Sequence, residues 1–222
     1  MRQLNSLRPL GWLTVVFIGM SLTGCTSRWV GLRQGNSASL QTVQDDLQYA
    51  QLKTQKTRKA LEDVKFADQA DLPRAYRAFR EEVNTMTGAG EKLVQHANGM
   101  HYQGNAYLVE GEKSAGECRY PRLSGNAKLP RMELGDAFEP IAEQGQAVQR
   151  AYRAFELDIE AIDEYLSQEL NEQGVRDMEI FMRKSDVDGD SLLYELETEL
   201  SVVDRAQKAY TEITQGKEAG TP

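Results

Sequence analysis

Long apolar runs, histidines, cysteines and surplus positive charge are all scarce in this 222-residue chain, and each shortage removes a class of function. No apolar stretch reaches the roughly 18–20 residues that a typical membrane-spanning helix needs. Lys and Arg number 26 against 34 Asp and Glu, a formal charge of −8. Nucleic-acid affinity rests on cations that displace counterions from phosphates, so no nucleic-acid partner is expected. Anionic membrane surfaces offer such a body no attraction either. The only histidines, His96 and His101, stand five apart on different helix faces and read as polar surface residues, and no Glu-x-x-His pair exists for a di-iron bundle site. Gly88-Ala89-Gly90-Glu91-Lys92 lacks both the spacing and the following Ser or Thr of a phosphate loop. No nucleophile elbow appears, and carboxylate pairs need a cleft before their pKa values separate for acid–base work. The expectation is a protein that is not an enzyme.

What is present begins with an export signal. Arg2 and Arg8 precede an apolar run from Leu10 to Leu22, which ends at Leu22-Thr23-Gly24-Cys25. The run is short, follows a positive segment and stops at small residues. This resembles the lipobox of bacterial lipoproteins. The resemblance implies that residues 1–24 are a signal peptide, that the Cys25 thiol is diacylglycerylated and its new amino group acylated (palmitate among the chains), and that residues 25–36 form a lipidated tether. Several acyl chains make attachment stable where one is marginal, so the membrane is a partner through this N-terminal lipid. Thr26 rather than Asp after the Cys implies the outer membrane, facing the periplasm. Loss of two positive charges with the signal takes −8 to about −10. Cys118 is then left without an intramolecular partner, which excludes a disulfide framework.

The body, residues 37–214, is written in heptads. Leu40, Val43, Leu47, Ala50, Thr54, Thr57, Leu61 and Val64 alternate spacings of three and four, an a/d seam with Ser37 or Ser39 to cap it. A second seam runs Leu72, Tyr76, Phe79, Val83, Met86, Gly90, Leu93, Ala97 and Met100, with Asp71 as cap, Pro73 in the first turn and Gly88 and Gly90 marking a close approach or a soft kink. Residues 111–131 hold Gly111, Gly116, Pro121, Gly125 and Pro130 and read as a long loop. The third seam is Leu134, Phe138, Ile141, Gly145, Val148, Tyr152, Phe155, Ile159, Ile162 and Leu166, behind a capping box of Asp136 and Glu139. Glu156, Asp158, Glu160, Asp163 and Glu164 between them suggest a solvated acidic face. A short helix near 175–184 follows. After a connection at 185–190 comes a last helix on Leu193, Leu196, Leu200, Val203, Gln207 and Tyr210, with a disordered tail at 215–222. Arg-Ala-Tyr-Arg-Ala-Phe occurs at both 74–79 and 150–155, with Tyr and Phe on the seam each time. The expected fold is all-α: an elongated antiparallel coiled-coil bundle of three to four main helices.

One segment carries metal chemistry. Asp186, Asp188 and Asp190, the Leu192 carbonyl and Glu197 fall at ligand positions of a stretch that resembles a twelve-residue EF-hand calcium loop. Calcium needs several hard oxygens on a flexible loop, and these residues would supply them. Ser191 stands where that motif has Gly for its sharp turn, and no second loop is present to pair with. An acidic, Gly-containing turn between antiparallel helices accounts for the same residues. No cofactor other than calcium is suggested.

Leu61 to Glu112, with Phe66-Ala67-Asp68-Gln69-Ala70-Asp71-Leu72 before a helix bearing Tyr76 and Val83, is similar to a family of exported bacterial coiled-coil proteins of unknown function. That resemblance implies long antiparallel helices and no functional residues. The reading is a lipid-anchored structural or protein-interaction lipoprotein of the cell envelope with a partner there. The alternative is a calcium-binding envelope lipoprotein. Threonine in the first seam leaves room for a homo-oligomer that completes the core.

Overall fold

The computed structural model describes residues 37–111 and 134–218. Among them every regular element is helical: α1 Leu40–Phe66, α2 Leu72–Gln103, α3 at 106–111, a 3₁₀ turn Gly135–Ala137, α4 Phe138–Gln168, α5 Glu172–Asp177 and α6 Glu179–Glu218. None is long and apolar enough to cross a membrane. The signal segment, Cys25, the tether and most of the 111–131 loop lie outside the described residues.

The four long helices form a closed ring of contacts, α1 against α2, α2 against α4, α4 against α6 and α6 against α1. Each neighbouring pair is antiparallel. Lys53 meets Glu82 while Asp46 meets Lys92, so α1 and α2 run oppositely. Tyr76 reaches Asp163 and Gln146 reaches the Ala97 carbonyl across α2 and α4. Lys184 meets Asp158 and Gln144 meets Glu195 across α4 and α6. Arg58 meets Asp190 and Gln44 meets Asp204 across α6 and α1. This is an all-α, up-down-up-down four-helix bundle.

The seams expected for α1 and α2 are buried at every position. That of α4 is buried from Ile141 to Leu166, with Phe138 only half-buried. Thr54 and Thr57 sit in the core without loss, because Thr54 Oγ1 donates to the Ala50 carbonyl (2.8 Å) and Thr57 Oγ1 to the Glu82 carbonyl (3.3 Å). Both residues are fully enclosed within one chain, so the unfinished core offered as a reason for oligomerising is absent. In both copies of the repeated hexapeptide the Tyr and Phe are core residues.

α6 departs from expectation. It is one helix from Glu179 to Glu218, with no connection at 185–190 and no end at 214. Met182, Ser185, Gly189, Leu192, Leu196, Glu199, Val203 and Ala206 form its buried seam, an unbroken three–four alternation, with Val202 buried beside it. Leu193, Leu200 and Gln207 lie one residue off this seam and are half-buried. Three non-apolar seam residues, Ser185, Gly189 and Glu199, hide the heptad from a hydropathy reading.

Helix starts also differ in detail. Ser39 Oγ accepts from Thr42 N (3.0 Å) and caps α1. Asp71 occupies the N-cap position of α2 without capping it. Asp68, one turn earlier, instead accepts from the backbone of Ala70 and Asp71 (3.0 and 2.9 Å). The N-cap of α4 is Ala137, after the 3₁₀ turn, so Asp136 and Glu139 form no capping box. Gly104, at φ 58°, ends α2 in a conformation that L side chains avoid.

Gly90 is a close approach, not a kink. The Tyr152 ring of α4 lies where a Gly90 Cβ would be, whereas nothing lies within 4 Å of such an atom at Gly88. Gly90→Ala should therefore lower stability by about 2 kcal/mol through overpacking, despite alanine's better helix propensity. Gly88→Ala should raise it by up to about 1 kcal/mol. Urea-denaturation midpoints of the two variants should move in opposite directions, and movement together would contradict this packing.

Candidate functional site

The residues expected to bind calcium lie in the middle of α6. Helical geometry separates them. Asp186 and Asp190, one turn apart, both face α1: Arg58 Nη1 is 2.6 Å from Asp190 Oδ1, and Arg58 Nε is 4.0 Å from Asp186 Oδ1. Asp188 turns to the other flank, toward α4, where Lys184 Nζ donates to its Oδ2 (2.6 Å) and to both carboxylate oxygens of Asp158 (2.8 Å each). The Leu192 side chain is fully buried, its carbonyl belongs to the helical ladder, and Glu197 is exposed on the outer surface. The expected loop is thus corrected to continuous helix, and the five ligand positions do not converge. Among the described residues no group of three or more His, Cys, Asp or Glu side chains could hold a metal ion. The physical reason is the seam. Gly189, which the loop reading assigns to a turn, lies on the core stripe because Arg58 and Phe155 fill the space beside it. A Cβ there would stand 2.6 Å from Arg58 Cδ and 3.1 Å from Phe155 Cε2.

What the segment builds is a pair of interhelical ion clusters. The Arg58 side chain is largely buried, and its Nε has no hydrogen-bond partner, as is also true of Ser185 Oγ. In the second cluster burial pushes the Asp158 carboxyl up while Lys184 opposes that, and the same ammonium holds Asp188 below the ordinary carboxylate range. Asp158 and Glu156, expected on a solvated face, are buried at 6% and 7% exposure, and each is matched by a cation, Lys184 and Arg153 respectively. Tyr152 also donates its hydroxyl to Glu156.

A third cluster contains a residue that sequence reasoning misplaced. His96 is buried, not exposed. Its Nε2 is 3.0 Å from Asp46 Oδ2 on α1, and its Nδ1 is 2.8 Å from the Tyr107 hydroxyl on α3. Desolvation lowers the His96 pKa against the pull of Asp46, which keeps the ring neutral near pH 7. A neutral ring with its proton on Nε2 donates to Asp46 and accepts from Tyr107, satisfying both contacts. Burial raises the Tyr107 hydroxyl to about 12. The ring rests against Gly99 and is 1% exposed. An Asp–His–Tyr array with no open face and a protonated hydroxyl is a clasp joining α1, α2 and α3, not a nucleophile.

The fourth group is Glu199 on the α6 seam, 2% exposed, its carboxylate beside Gly145 and near Met100. Burial alone raises its pKa to about 8, so the carboxyl is predominantly neutral at pH 7. Its spacing of seven from Leu192 and four before Val203 was the signal available in the sequence.

Compared with known proteins, the chain matches no family model, no curated protein and no solved structure. No functional residue can be transferred to it, and the geometry has to speak alone. Hydrogen-bonded or ion-paired side chains fill the inner polar clusters, whereas the outside of the bundle is not fully polar. Ile180, Val187 and Tyr194 on α6 are 67–70% exposed, as is Leu157 on α4 at 67%. A broad surface groove of about 530 Å³ lies between α1 and the start of α6, with Phe66, Leu61 and Met182 among Arg58, Lys59 and Lys65. Two of its cations are matched, Arg58 by Asp190 and Lys59 by Glu62 and Asp63, while Lys65 lies over the Phe66 ring.

Two expectations follow from these clusters. The folded pKa of Glu199 lies above the unfolded value of about 4.3, so between the two the unfolded chain has released a proton that the folded chain keeps. Its contribution to stability therefore falls as pH rises from about 4 to about 8 and is level above that, at most about 1.4 kcal/mol per pH unit. Glu199→Leu should raise the urea midpoint more at pH 8 than at pH 5, and a benefit independent of pH would refute the assignment. At Arg58, the ion pair with the exposed Asp190 contributes little, while the stem covers Gly189. Arg58→Met should stay within about 0.5 kcal/mol of the parent, and Arg58→Ala should lose about 1–2 kcal/mol in the same denaturation assay. Equal losses would place the energy in the charge.

Proposed function

We propose that the protein is a lipid-anchored lipoprotein of the cell envelope, held through Cys25 at the outer membrane on its periplasmic side, which works by presenting the outer surface of its helical bundle to an envelope protein. The observation that carries this reading is the placement of the exposed apolar residues. Ile180, Val187 and Tyr194 on α6 and Leu157 on α4 project directly away from the core stripe of their helices. That position in an antiparallel bundle faces water and is ordinarily polar. Such side chains add nothing to the core, and a row of them along one helix face supports contact with another molecule. The Arg2, Arg8 and Leu10–Cys25 pattern supports the anchor. The closed packing of the inner polar groups supports a role in binding rather than catalysis.

The calcium alternative requires a loop at 186–197, and that segment is helix, so no metal is included.

The test uses the full chain in its own membranes. Cys25→Ser should abolish incorporation of a clickable palmitate analogue and release the protein from the membrane fraction. A photo-crosslinking amino acid at Leu157 or Ile180 should give discrete protein adducts, and one at exposed Glu139 should give none. Unchanged membrane association of Cys25→Ser, or only diffuse adducts at every position, would overturn the reading.

A further inference from the structure

The α6 outer row has internal symmetry of its own. Ile180, Val187 and Tyr194 are seven residues apart, so they fall on one line about 21 Å long. Beside that line, on the flank toward α1, stand Arg183, Asp190 and Glu197, three positions on from each apolar residue. The row is positive at one end and negative at the other, with Asp190 at its centre already held by Arg58. On the opposite flank, toward α4, stand Lys184, Ser191 and Thr198, and Lys184 is occupied by Asp158 and Asp188. Arg183 makes only a long exposed contact with Glu179, at 3.9 Å.

A surface of this kind fits itself. When a second α6 is laid antiparallel over the first by a two-fold rotation centred near Asp190 and Ser191, Val187 of each copy faces Tyr194 of the other. Arg183 of each then faces Glu197 of the other, Ser191 faces Ser191, and Asp190 faces Asp190 with each carboxylate held by its own Arg58. The apolar contact and the charge contact each occur twice, as a closed two-fold interface requires. A parallel pairing would instead set Arg183 against Arg183 and Glu197 against Glu197. We infer that the outer face of α6 is an antiparallel self-association surface whose occupant is a second copy of this chain. The three-residue row is smaller than the roughly 800 Å² per partner of a standard stable interface, so the association is weak in free solution. Tethering of both copies to one membrane raises their effective concentration.

This deepens the interaction reading by naming the partner, and the two can fail separately. The experiment uses the purified full chain in detergent micelles at high concentration, with Cys118→Ser to remove the other thiol and a mild oxidant to trap close pairs. Val187→Cys alone should give little covalent dimer, whereas Val187→Cys combined with Tyr194→Cys should give at least fivefold more. In that double-cysteine chain, Arg183→Glu should cut the yield severalfold, and the further change Glu197→Arg should restore it. Absence of dimer from the double-cysteine chain, equal yields from Val187→Cys alone, or failure of the charge swap to restore the yield would each overturn the proposal. Discrete photo-adducts to other proteins without trapped pairs would leave the interaction reading standing and remove the second copy as its partner.

Discussion

The arrangement of this bundle depends on size matching across its core, large side chains of one helix set against glycine on another. Tyr152 of α4 occupies the space beside Gly90 of α2, Phe155 of α4 and Arg58 of α1 occupy that beside Gly189 of α6, and Met100 of α2 occupies that beside Gly145 of α4. Protein interiors are packed to the density of organic crystals, so a ring that has consumed the volume of a missing Cβ cannot shift one turn without colliding with a Leu or Val. These contacts link all four long helices and fix their axial register. Every interhelical ion cluster, from Asp46–His96–Tyr107 to Asp158–Lys184–Asp188, has its partners within reach only because that register is held.

The same contacts explain what could be read from the sequence. α1, α2 and α4 carry their seams mostly in apolar residues, and an alternation of three and four needs no tertiary knowledge to recognise. α6 carries the same alternation, but Ser185, Gly189 and Glu199 stand on it, and at Gly189 the tertiary partners, not hydropathy, decide the residue. Gly189 looks like a turn until Phe155 and Arg58 are seen beside it, and Asp186 to Glu197 then look like a loop when they are helix. A hydropathy reading moves to Leu193 and Leu200, one residue off the true stripe. The buried acids show the converse failure. Asp158 looks exposed because its cation, Lys184, is 26 residues distant in the chain, and His96 looks exposed because Asp46 is 50 residues distant. Local pattern reports the face of a helix, but it does not report which charges are neutralised from another helix.

Polar groups on the seam also bear on specificity. Glu199 lies in the core as a predominantly neutral acid, and Ser185 Oγ lies there without a partner. Neither placement is favourable in itself. Polar seam residues are a known means of specifying register at some cost in stability. The clasp of His96 acts in the same direction at the bundle end where α1 begins and α2 stops. There it joins α3 to the long helices through side chains, and Ala38 N, just ahead of α1, donates to the Tyr107 carbonyl (3.2 Å).

The division between inside and outside then bears on the proposed role. Core packing accounts for the seam residues, and neutralisation accounts for Arg58, Lys184, Asp158 and Glu156. Neither accounts for Ile180, Val187 and Tyr194, which lie exposed on the side of α6 opposite its core stripe. A bundle selected only to fold has no use for β-branched and aromatic side chains at that position, where lysine or glutamate would favour helix and solubility equally well. The proposed role gives them a surface beyond the chain to meet. Under the proposed role, a protein tethered beside copies of itself would meet one such surface more often than any other.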